Sequence, residues 1–110
     1  MPAALNPKEM RRAVRQDVCY RCEMAVDSVN QISALMVNIS PLGCLMRCSK
    51  DIPQGTILSF ALPLVGRCEA RVVWAMGGRI GMEFTKTIES HPYLAMLEHL
   101  NRPSDEMGIY

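Results

Sequence analysis

From Asp17 to Ala25 apolar and polar side chains alternate, with Val18, Tyr20, Cys22 and Met24 on one side and Cys19, Arg21 and Glu23 on the other. A period of two predicts a strand with one buried face. Ile32–Ile39 is a mainly apolar run, and Cys44–Cys48 reads as a short strand after Gly43. Asp51-Ile-Pro-Gln-Gly55 has turn composition. In Thr56–Leu62 the residues Leu58, Phe60 and Leu62 share a face, and Pro63 ends the run. Arg67–Met76, the Gly77-Gly78 pair and Arg79–Phe84 read as a hairpin with a tight turn.

Six such segments at short spacing predict an all-β domain, a six-stranded antiparallel β-barrel followed by a C-terminal helix. Closing the sheet removes the edges that such apolar strands would otherwise expose. The helix is expected near Pro92–Asn101, with Ser90 as a cap and Tyr93, Leu94, Leu97 and Leu100 as its apolar stripe. The chain then divides into a basic arm over 1–15, a barrel with its helix over 16–101, and a tail over 102–110.

At 110 residues with 49% hydrophobic content, the chain suits one packed domain. No apolar run approaches the ~20 residues of a membrane helix, and no apolar segment marks a signal peptide. A cytoplasmic protein without membrane insertion is expected. The net charge of +1 gives no basic track for DNA or RNA. Its distribution is uneven. Lys8, Arg11, Arg12 and Arg15 against Glu9 give residues 1–15 a charge of +3, which leaves −2 for the rest. A short basic arm on a slightly acidic body suits a compact anionic ligand.

The five cysteines, an odd number without a secretory signal, are expected to be reduced thiols. Cys19-x-x-Cys22 has metal-site spacing, but residues three apart on a strand face opposite ways, so no metal is expected. His91 and His99 fall on or beside the helix, and no nucleophile–base spacing, P-loop or dinucleotide fingerprint is present. The chain is therefore not expected to be an enzyme, and no cofactor is implied.

Candidate chemistry concentrates in two motifs. Arg11-Arg12-Ala13-Val14-Arg15 supplies three guanidinium forks, and Asn38-Ile-Ser40-Pro-Leu-Gly43 sets an amide, a hydroxyl and a glycine at a turn. Arginine forks read phosphate oxygens or the O6/N7 edge of guanine. In an extended arm Arg11 and Arg15 face the same way and Arg12 the other. Asn38 and Ser40, two apart, share a face on a strand end. They either contact a ligand or satisfy a local turn. Gly43 either allows close approach of a guanine or supplies a positive φ before the next strand. Together the motifs describe a site for a small anionic guanine nucleotide.

With Val72-Val73-Trp74 and Gly81-Met82-Glu83-Phe84, these motifs resemble those of the PilZ domain, a bacterial receptor module for cyclic di-GMP. The likeness spans roughly residues 8 to 100. It implies a barrel fold, cyclic di-GMP as ligand, a site of Arg11, Arg12, Arg15, Asn38, Ser40 and Gly43, and a protein partner that reads the bound state. It also brings Trp74 near the ligand, whereas burial statistics for a lone tryptophan favour the barrel core as much. A protein-interaction module of the same fold with weak or no nucleotide binding is the second reading.

Overall fold

Alternation is carried into six strands: β1 (Gln16–Ala25), β2 (Gln31–Ile39), β3 (Gly43–Arg47), β4 (Ile57–Leu62), β5 (Gly66–Met76) and β6 (Arg79–Phe84). One helix follows, α1 (Ser90–Leu100). The computed structural model describes residues 14–26 and 31–100. Arg11 and Arg12, with the rest of the expected arm before Val14, and the chain from Asn101 onward lie outside the described residues.

The strands close in the order β1-β2-β3-β6-β5-β4, and every pairing is antiparallel. The expected six-stranded barrel with a C-terminal helix is the observed architecture. Its interior takes one side chain in two from each strand. Cys22, Met24, Met36, Ile39, Met46, Leu58, Phe60, Val72, Ile80 and Met82 are all buried. Unbranched methionines adapt to the narrow interior of a small barrel, and Phe60 and Phe84 meet there with ring centroids 6.3 Å apart.

Strict alternation is broken in three places, between Asp17 and Tyr20 on β1, Met36 and Asn38 on β2, and Val72 and Trp74 on β5. Each irregularity re-phases the strand, so residues beyond it change face relative to a simple count. Val73 is the extra residue on β5. Its presence sends Trp74 outward, where it is 41% exposed. The core placement that burial statistics allowed for Trp74 is thereby excluded.

The helix closes one end of the barrel, but its stripe differs from the expected one. Tyr93 and Met96 are buried, Leu97 and Leu100 pack against the core, and Leu94 is 62% exposed. Positions 93, 96, 97 and 100 follow the i, i+3, i+4, i+7 rule, and Leu94 lies about 100° off that line. The Tyr93 amide donates to the Glu89 carbonyl at 3.1 Å, so Glu89, one residue before the expected Ser90, supplies the first helical acceptor.

Inside, the Tyr93 hydroxyl donates to the Ile39 carbonyl at 3.2 Å in a buried contact. This bond ties the helix to the end of β2, next to Asn38 and Ser40. Tyr93→Phe should lower stability by about 0.5–1.5 kcal/mol, the usual net loss for one hydrogen bond. Urea denaturation checks this, and an unchanged midpoint would show that the bond carries no net stability.

Candidate functional site

The three strand irregularities lie along one line of the barrel wall. Register pairs Asp17 with Asn38, Asn38 with Leu45, Leu45 with Gly81, and Gly81 with Trp74. Paired residues in a sheet share a face. Asp17, Asn38, Leu45 and Trp74 therefore form an outward row across β1, β2, β3, β6 and β5. Adjacent strands are ~4.8 Å apart, so Asn38 and Trp74 are about 14 Å apart along the sheet.

At one end of the row the exposed Arg15 lies just before β1, and its Nη1 donates to Asn38 Oδ1 at 3.3 Å. This contact joins the two motifs across 23 residues of sequence. It also leaves most of the guanidinium's five donors available. At the other end, the Trp74 ring lies directly over Gly81, where a Cβ would fall inside the indole. Gly81 thus lets the ring lie against the sheet, and Leu45 makes an apolar floor between ring and amide. Gly81→Ala should cost little stability, because an exposed side chain can swing away. The displaced indole should then shift tryptophan emission to the red, and unchanged emission would contradict this packing.

Ser40 and Gly43 serve the turn. Ser40 is buried, its Oγ accepts from the Leu42 amide at 3.1 Å, and its own amide donates to the Gly43 carbonyl at 2.9 Å. This is the local-turn alternative, so Ser40 does not simply share the outward face of Asn38. The hydroxyl hydrogen makes no bond among the described residues. Gly43 departs from the expected reason for a glycine. The positive-φ glycines are Gly55, Gly66, Gly77 and Gly78. At Gly43, an added Cβ would overlap the Met82 carbonyl oxygen on β6, so the close approach is to a strand of the barrel itself.

Two residues at this face carried no signal in the sequence. Glu83 pairs with Gly43 on one side and Arg71 on the other. Its carboxylate is buried and takes a charge-assisted bond from Arg71 Nη2. Both residues belong to the outward row next to that of Asn38 and Trp74. Only the register reveals the pair, because they are 12 residues apart in different strands.

Beneath the face lie the thiols of Cys22 and Cys44. Cys19 is exposed and Cys22 buried, on opposite faces as alternation predicts. Among the described residues no cluster of His, Cys, Asp or Glu could hold a metal ion. Burial, reinforced by neighbouring Cys68 and Glu23, pushes the Cys22 thiol up to about 12 from 9.0. Burial first, then the nearby Cys22 and Cys68, raises Cys44 further still. A raised folded-state value means that the neutral thiol is favoured. Its contribution to stability is complete below the unfolded value of 9.0 and is lost as pH climbs through the folded value. Melting temperature should therefore fall as pH rises from 9.0 towards about 12, and less so in a C22A/C44A variant. An equal fall in both proteins would rule out these thiols as the cause.

A closed antiparallel barrel carries Arg15 and Asn38 at one end of an outward row and Trp74 at the other. The PilZ domain family model matches residues 9–101, and the chain belongs to that family. It is a family of cyclic di-GMP receptor domains. No curated protein matches the chain. Among the described residues no helix is long and apolar enough to cross a membrane.

Proposed function

We propose that this chain is a cyclic di-GMP receptor whose ligand lies along the outward row from Asn38 to Trp74. The observation that carries the reading is the Arg15–Asn38 bond at 3.3 Å, which brings the two motifs to one place. Arg15, with Arg11 and Arg12 from the arm, clamps phosphate oxygens or the O6/N7 edge of guanine. The Asn38 amide bonds a base edge or the sugar-phosphate, Leu45 underlies the base, and Trp74 stacks on it. The Ser40 hydroxyl donates to a phosphate oxygen. Gly43 acts through the fold, by keeping β3 against β6. No metal or cofactor is needed.

On this reading the arm over 1–15 is the switch. It holds few apolar side chains, two prolines and a charge of +3. Ligand phosphates supply the counter-charge that docks it on the barrel, and the changed surface is read by a protein partner. Binding should weaken as salt rises. Calorimetric titration with cyclic di-GMP, using GMP as control, tests the proposal. Saturable heat for cyclic di-GMP alone supports it, whereas no heat leaves the interaction module without nucleotide. Amide hydrogen exchange over residues 8–16, with and without ligand, separately tests the arm as the switch.

A further inference from the structure

Next to the row of Asn38 and Trp74 runs a second outward row. Register pairs Arg21 with Leu35, Leu35 with Arg47, Arg47 with Arg79, and Arg79 with Met76. Three arginines thus line up across β1, β3 and β6, all of them exposed. They border a groove of about 480 Å³ whose lining includes Ser33 and Gly77-Gly78 but no acidic residue. Arg21 reaches the Ser33 hydroxyl at 3.5 Å. Neither Arg47 nor Arg79 has a carboxylate partner among the described residues, where the ion pair is that of Arg71 with Glu83.

The Arg47–Arg79 pair is the telling feature. Like charges placed directly opposite on adjacent strands destabilise a sheet. Nothing in the fold requires them, since both side chains leave the barrel and the whole chain carries a net charge of only +1. The row ends in Met76, 76% exposed, with Trp74 41% exposed beside it. Arginine, methionine and tryptophan are the types enriched where proteins dock.

We propose that this groove docks an acidic segment of a partner protein, with carboxylates on Arg21, Arg47 and Arg79 and apolar side chains on Leu35 and Met76. The spacing fits this occupant. The cations lie about 10 Å and 5 Å apart along the row, between apolar side chains. An extended peptide repeats its side chains on one face every ~6.7 Å, within reach of long arginine stems. A nucleotide is the poorer fit, because the groove itself presents no aromatic ring for a base to stack on. The docking stands independently of nucleotide binding. Adjacency of the two rows then gives the receptor a direct route to its partner, since a ligand on one row borders the segment on the other.

The test uses a fluorescein-labelled peptide alternating glutamate with leucine, and the same peptide with glutamine for glutamate. Wild-type protein at low salt should bind the first saturably and the second not at all. R47Q/R79Q should weaken the binding roughly tenfold, as expected for two exposed ion pairs. Its affinity for cyclic di-GMP should match that of the wild type. R79E, which sets opposite charges across the strands, should raise the melting temperature by a few degrees. No peptide binding, equal binding of both peptides, or undiminished binding by R47Q/R79Q would each overturn the proposal. So would a collapse of cyclic di-GMP affinity in that variant, which would assign the groove to nucleotide. A lower melting temperature for R79E would remove the like-charge cost on which the argument turns.

Discussion

Gly43→Ala is expected to lose at least about 3 kcal/mol of stability, a large part of what a domain of this size has. The added methyl group meets the Met82 carbonyl oxygen, with the Glu83 Cα at 3.3 Å behind it. Both atoms are backbone of the paired strand, so neither can rotate aside. Relief requires β3 to move off β6 at its first residues. That movement stretches the bonds from the Ser40 amide to the Gly43 carbonyl at 2.9 Å and from the Phe84 amide to the Leu42 carbonyl at 2.8 Å. The turn that holds Ser40 would go with them. Chemical denaturation reads the loss directly, and a midpoint equal to that of the wild type would mean that the strands can separate at no cost. Loss of ligand binding in this variant would reflect damage to the fold rather than a missing contact.

Arg15→Ala is expected to do the opposite, sparing the fold and removing the ligand. Its side chain is exposed and its contact among the described residues is a single bond to Asn38, so stability should change little. Losing a charge-assisted contact to phosphate or guanine costs about 1.5–3 kcal/mol, or roughly 10–150-fold in affinity. Arg15→Lys should recover only part of this, because an ammonium cannot reproduce the planar fork. Calorimetry on both variants, beside their melting curves, separates the effects. Unaltered affinity in Arg15→Ala would remove this residue from the site and leave the Arg15–Asn38 bond without a role in binding.

The barrel was legible because its signals are local. The alternation of Val18, Tyr20, Cys22 and Met24, the glycine pair after Met76 and the proline after Leu62 each act within a few residues. The three strand irregularities have no such signature. Val73 looks like any other β-branched strand residue, yet it decides that Trp74 faces outward. Gly43 stands out through its motif, but the close approach it makes is to β6, which is far from it in sequence. The same holds for Arg71 and Glu83, whose pairing exists only once the register is set. On the helix, Tyr93, Leu97 and Leu100 followed from periodicity. Leu94 is apolar but off that stripe, and Met96, at the proper spacing, lies on it. Within the candidate site, Arg15 and Asn38 were legible as motif residues and do meet. The turn bond of Ser40 to the Leu42 amide exists only once the chain has folded.

The row from Asp17 to Trp74 begins on β1, crosses β2, β3 and β6, and stops on β5, so it spans every junction of the barrel but the two that involve β4. In mechanical terms a ligand laid along that row is a brace across four of the six seams. The two seams of β4 keep the freedom that they have without it, and β4 is the strand whose amide exchange binding should leave unchanged.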